Sequence, residues 1–322
     1  MKPSLNIQID VTSYESGQSR LISCEVEASL YVPSNVCRFS MSHPEGIDHA
    51  PGASVVVKMG EKGNEKQVFT GVLTRAARSF TELAFEASSD FRKLSRLRLS
   101  RIYEDSSMGD IVKDLANEAS VALGSIDNGL KFPSYVVSPR MTVYAHLSTL
   151  SEQGGFQLYA DPEDKLMFHV PTPSGAPGLF QYGVNVLSVE QIEVGEGITE
   201  VEVFGESPAS LGQGNEATSW LTKKNLSGKS GSGDTQLRVY APAVRTQQDA
   251  AQISQQILDR RKSRIVLKVK VLGAEGVHLT DVLQLQQMPQ NQHNGTFSVT
   301  ALKHRFTPDK GFFSHLTLEK LS

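Results

Sequence analysis

Cysteine and tryptophan are almost missing from this chain of 322 residues, which has two of the first and one of the second. Two cysteines, Cys24 and Cys37, cannot form a disulfide framework for a chain of this size. An apolar core must hold the fold, and free thiols fit synthesis in a reducing cytoplasm. The two could still face each other across a hairpin, so a bond in an exported particle stays open. Long apolar runs are also absent: none approaches the roughly 18 residues that a spanning helix needs, so no membrane insertion is expected. The segment Met1–Asp10 lacks the apolar centre of a secretory signal. A charge excess is missing too, with 32 basic against 35 acidic residues. That balance argues against non-specific nucleic-acid binding.

Catalytic signatures fail one by one. Gly212-Gln-Gly214-Asn-Glu-Ala217 has the spacing of a dinucleotide fingerprint but sits in a polar stretch with no strand–helix–strand unit around it. Gly228-Lys229-Ser230 looks like the end of a phosphate loop, but Lys223 stands where the leading glycine is required. Ser232 likewise replaces the closing glycine of a nucleophile elbow. The histidines lack zinc spacing. His304 and His315 are the one pair to weigh, because a turn at Asp309-Lys310 would set them opposite each other. Further ligands are not evident, and a packed or surface pair is the expectation. Asp161, Glu163 and Asp164 lie too close together for a calcium ladder and suit a tight turn. No catalytic, cofactor-binding or metal-binding residue is therefore assigned.

What is present is β pattern around a helical centre. Residues 1–95 alternate apolar and polar positions (Leu5, Ile7, Ile9, Val11) and break repeatedly at turn residues, as a small barrel or sandwich would. Residues 96–183 form an α+β middle segment. There, Met108, Ile111, Val112, Leu115 and Ala116 share one helical face, opened by a capping box of Ser107 and Asp110. A second helix starts after Thr142, buries Leu147 and Leu150, and stops at Gly154-Gly155. The hairpin Phe156–Ala160 with Leu166–Val170 follows. Residues 184–322 return to β pattern, with a flexible loop expected at 207–234 and a helix opened by Thr246 and Asp249. The fold class read from this order is mostly β with an α+β insertion: two small β-barrel domains flanking a helix–helix–hairpin segment.

The charges suggest where such a chain would touch others. Arg92, Lys93, Arg96, Arg98 and Arg101 form a basic run whose complement is an acidic stretch that includes Glu193, Glu196 and Glu200. Whether the two meet within one chain or between copies is left open by sequence. Trp220, alone in a polar stretch, either tucks back onto its domain or anchors a partner, and tucking back is favoured. Those nine residues are the candidate subunit or partner interface.

The order of elements resembles the phage late control D family, the tail hub proteins of contractile phages, which include the N-terminal part of type VI valine-glycine-repeat spike proteins. The likeness rests on four stretches. One is Arg101-Ile-Tyr103…Asp110-Ile-Val112…Leu115-Ala-Asn-Glu118, and another is Leu147-Ser-Thr-Leu-Ser-Glu-Gln-Gly154-Gly-Phe156 with Leu166-Met-Phe168. The others are Tyr182-Gly183-Val-Asn-Val186 with Val201-Glu-Val203-Phe-Gly205, and Gly295-Thr-Phe-Ser-Val299…His304…Gly311-Phe-Phe-Ser-His-Leu-Thr-Leu318. Leu279-Thr280-Asp281 departs from a Pro-Gly-Asp turn common in the family. The resemblance implies a structural, non-enzymatic baseplate hub without cofactors. It would be a homotrimer that adapts a three-fold spike to a six-fold inner tube, assembled in the bacterial cytoplasm and then carried on the baseplate. Its implied partners are the inner tube protein, a separate spike protein (no spike extension follows Ser322) and other baseplate components. The alternatives are a tail-associated peptidoglycan glycosidase and a β-barrel carbohydrate-binding or adhesion module.

Overall fold

The structure is a computed structural model, described over residues 3–17, 20–42, 45–171, 178–193, 197–205, 226–262 and 264–321. The first lobe contains β1 (Pro3–Ile9), β2 (Thr12–Glu15), β3 (Leu21–Ser29), β4 (Val36–Ser42), β5 (Ser54–Glu61), β6 (Lys66–Arg78) and β7 (Glu82–Ser88). Alternate side chains of these strands point inward. Ile7 of β1, Val57 of β5, Phe69 of β6, Phe85 of β7, Phe39 of β4 and Val26 of β3 belong to one buried cluster. Strands far apart in the order β3-β4-β7-β6-β5-β1 thus share a core, so the sheet curls round it.

The second lobe is built from β13 (Gly178–Gln181), β14 (Val186–Glu193), β18 (Ile265–Leu272), β19 (Val282–Gln286), β20 (Gly295–Thr307) and β21 (Gly311–Lys320). Its order is β14-β18-β21-β20-β19-β13, around a core that includes Phe180, Val269, Leu285, Phe297 and Leu318. The two lobes are one sheet because β20 and β21 are long enough to serve both. Residues Gly295–Ser298 of β20 pair with β19, and Ala301–Phe306 pair with β3 on the same edge. The exchange falls at a bulge between Val299 and Ala301, where Thr300 is buried and its hydroxyl donates to the Thr317 carbonyl at 3.3 Å.

Among the described residues no sheet closes into a barrel, so the expected cylinders are two curled but open wraps. In the first, β1 returns to contact β21. The residue brought beside Gly311 there is Pro3, which has no amide hydrogen to give to a ladder. In the second, an isolated bridge between Tyr182 and Val186 joins the two ends.

A third core lies beside the wraps. It holds β8 (Arg101–Ser107), α1 (Met108–Glu118), β9 (Leu123–Ile126), β10 (Lys131–Val137), α2 (Val143–Gly154), β11 (Gln157–Ala160) and β12 (Leu166–His169). From later in the chain come β15 (Glu200–Phe204), β16 (Ser227–Gly231), β17 (Gln236–Tyr240) and α3 (Gln247–Arg261). Ile111 and Leu115 of α1, Leu147 and Leu150 of α2, Ile253 and Ile257 of α3, and Val201 and Val203 of β15 are buried together. The caps fall where the sequence puts them. Ser107 and Asp110 make a reciprocal capping box on α1, and the Thr142 hydroxyl accepts from the Ala145 amide on α2. Gly155 ends α2 in the left-handed region at φ 69°. The Thr246 hydroxyl accepts from the Asp249 amide on α3.

One register differs from expectation. Thr307 pairs with Gly311, so the β20–β21 loop has three residues rather than a two-residue turn. His304 then lies opposite Ser314, and His315 lies opposite Lys303. The two histidines occupy opposite faces of the sheet and do not pair.

Candidate interface surfaces

The basic run begins in a 3-10 helix, Asp90–Ser95, and its charges are answered nearby. Lys93 Nζ is 2.7 Å from Asp90 and Arg92 is 3.9 Å from the same carboxylate. Arg98 donates to the carbonyls of Pro139 and Arg140 at 3.2 and 2.6 Å. Arg101 pairs with Asp114, and with Glu118 at 2.6 Å. Burial opposes ionisation of Asp114, but the Tyr103 hydroxyl and the Arg101 guanidinium outweigh it and hold its carboxyl below the usual range. Arg96 is exposed.

The acidic stretch finds other cations. Buried Glu200 accepts from Lys229 at 2.8 Å, Glu202 lies 3.5 Å from Arg238, and Glu190 stands opposite Lys268. For the described members, then, the basic run and the acidic stretch do not pair with each other within the chain. Glu193 ends β14 opposite Ile265. Glu196, Trp220 and most of the loop expected at 207–234 lie outside the described residues.

The exposed apolar side chains were not anticipated. Ile102 and Val136 face each other across β8 and β10, at 65% and 60% exposure. Phe80 is fully exposed at the β6–β7 turn. Leu179, Tyr182, Val184 and Leu187 are exposed along the seam of the second wrap. They are joined there by exposed Leu272, whose amide donates to the Asn185 carbonyl at 2.9 Å. One signal in the sequence pointed to this patch. Leu187 follows buried Val186 on β14 and turns an apolar side chain outward, breaking the strict alternation of a half-buried strand.

The turn Asp161–Lys165 has a structural duty. Asp161 Oδ1 accepts from the Lys165 amide at 2.8 Å. Asp164, at φ 63°, reaches the start of the 3-10 helix, where its Oδ2 accepts from the Asp90 amide at 2.6 Å. Burial pushes the Asp164 carboxyl up to about 7 despite that bond. Among the described residues, no group of three or more His, Cys, Asp or Glu side chains could hold a metal. The cysteines do face each other, with Cys24 Sγ and Cys37 Sγ 3.7 Å apart in the first core. Burial, then the neighbouring Cys37 thiol, pushes the Cys24 thiol up, which disfavours the reactive thiolate.

Two wraps sharing long strands, a helical core on their flank and exposed apolar seams define a β-rich structural fold of a recognisable kind. By its sequence, the chain belongs to the Alg8 N-terminal domain family, whose model matches residues 34–308. The late control D family itself is not the one matched. No curated protein matches the chain.

Solved structures share the fold along nearly its whole length. The 43 kDa tail protein of prophage MuSo2 from Shewanella oneidensis superimposes with a TM-score of 0.71 at 12% identity, covering 98% of each chain. A tail protein from Neisseria meningitidis MC58 gives 0.74 at 13% identity, covering 99% of this chain and 97% of its own. The Escherichia coli c3393 protein, a type VI secretion component described as structurally similar to T4 bacteriophage tail proteins, gives 0.60 at 10% identity. There the match covers 98% of this chain and 77% of that one. The chain therefore has the fold of phage tail proteins.

Proposed function

We propose that this protein is the baseplate hub of a contractile phage tail or phage-tail-like injection system, of the late control D kind. In this reading it forms a homotrimeric ring that adapts a three-fold spike to a six-fold inner tube and nucleates tube assembly. The observation that carries the reading is the duplicated wrap, supported by the fold shared with two tail proteins over nearly their full lengths. Each subunit offers two curled sheets, joined through β20. Three subunits then offer six such units, and head-to-tail contacts that close make a ring of them. An obligate contact of this kind buries roughly 2,000 Å² or more. The exposed apolar seam supplies material for it, because large exposed apolar patches mark interaction sites.

The role is structural. The carboxyl raised to about 7, Asp164, accepts from the Asp90 amide to cap a helix, which is not the placement of a general acid beside a substrate cleft. Assembly would take place in the bacterial cytoplasm, and the partners would be the inner tube protein, a separate spike protein and other baseplate components. Electron microscopy of this protein mixed with the inner tube protein of a contractile tail tests the proposal. Tubes should start faster and carry a ring at one end. Unchanged tube growth with bare ends, or loss of turbidity from a peptidoglycan suspension treated with this chain alone, would contradict it.

A further inference from the structure

A cavity of about 240 Å³ lies where the two wraps meet the β11–β12 hairpin. Val68 and Leu279 form part of its apolar wall, and Asn35, Asp161, Glu163 and His304 are among its polar members. The Tyr159 hydroxyl, also on the wall, is engaged with His169 Nε2 at 3.2 Å and Thr280 Oγ1 at 3.4 Å, whereas two other groups keep an acceptor without a protein partner. His304 is 1% exposed and neutral, since burial pushes its imidazole down to about 3. The Ser314 hydroxyl donates its proton to the Gly273 carbonyl, so His304 Nδ1 must donate to Ser314 Oγ, at 2.7 Å. That fixes the tautomer and leaves Nε2 a bare lone pair, without a partner among the described residues. Asn35 is 7% exposed, and its amide nitrogen donates to the Ala160 carbonyl at 2.9 Å. Its carbonyl oxygen is likewise left without a partner.

Asp161 and Glu163 add carboxylates, and no lysine or arginine lines the space. His278, also on the wall, is turned toward Asp281, with Nδ1 3.7 Å from Oδ2. His304 Nε2 and Asn35 Oδ1 are open to a donor supplied by a ligand, and carboxylates at an apolar pocket favour a cation that brings its own hydrogens. A metal is a poor fit because no group of three ligating side chains exists among the described residues. An aliphatic stem matches the apolar wall and an ammonium head matches the acceptors.

We propose that this cavity binds a primary alkylammonium group, supplied by a free amine or by a lysine side chain of a partner protein. Titration calorimetry of the full chain with n-butylammonium, Nα-acetyl-lysine methylamide, n-butanol and butyrate tests it. The expected result is saturable binding of n-butylammonium, with none for the alcohol or the carboxylate. Glu163→Gln changes an exposed residue of the turn, so folding is retained. It should weaken binding several-fold, and adding Asp161→Asn should weaken it further. Saturation by the blocked lysine as well assigns the site to a partner's side chain, and saturation by n-butylammonium alone assigns it to a free amine. Equal binding of n-butanol, affinity unchanged in Glu163→Gln, or no saturation by any ammonium probe would overturn the proposal.

Discussion

Asp164 shows how one side chain sets a condition on the whole fold. It ties the tip of the β11–β12 hairpin to the helix that leaves the first wrap, and burial lifts its folded value from 3.8 to about 7. A carboxyl with a raised folded value binds its proton more tightly in the native state. Its contribution to stability is therefore complete below 3.8 and lost as pH rises through about 7. Asp164→Asn keeps an oxygen acceptor for the Asp90 amide and tolerates the left-handed backbone, but it carries no charge to desolvate. Thermal melts should show the variant gaining on the native protein between pH 4 and pH 8. A gap independent of pH would refute this. His304 has the opposite sign. Its depressed value means that the unfolded chain takes the proton first, so stability falls as pH drops below 6.5.

At the scale of elements, what was legible in the sequence was local. The α1 capping box, the Thr142 and Thr246 caps and the glycine stop of α2 each depend on residues within a few positions. The β20–β21 hairpin was legible but its register was not. Pro308-Asp309-Lys310-Gly311 accommodates a two-residue or a three-residue loop, and that single residue moved His304 and His315 to opposite faces. The sharing of β20 between lobes was out of reach, because Ala301–Phe306 pair with strand residues near the other end of the chain. Nor could open wraps be told from closed barrels by alternation alone, since both bury every second side chain.

Packing of α3 on the flank was equally hidden. It depends on Gly228 of β16, where a Cβ would come within 2.1 Å of the Ala251 nitrogen. Gly228→Ala should therefore push the helix off the strand and cost about 1–3 kcal/mol, as overpacking does. The urea midpoint reads this, and an unchanged midpoint would show that the strand and helix are not in contact.

At the scale of the molecule, the charged residues of the basic run are engaged within the chain while an apolar surface stays open. The described basic residues of the run are largely answered by nearby groups such as Asp90, Asp114 and Glu118, and exposed ion pairs of this type contribute little. The apolar seam of Leu179, Tyr182, Val184, Leu187 and Leu272 is the better place to look for a neighbour. Val184→Asp with Leu187→Asp should abolish assembly while leaving the melting temperature of the subunit within a few degrees, because both side chains are exposed, at 65% and 46%, and outside the buried core. Intact assembly in this double variant, read by native mass spectrometry, would move the interface elsewhere.

The central claim is that two wraps per subunit exist to make a ring of three. Light scattering coupled to gel filtration at micromolar concentration tests it most directly. The account predicts a single species with three times the subunit mass of 35.1 kDa. A species at the subunit mass itself would contradict it.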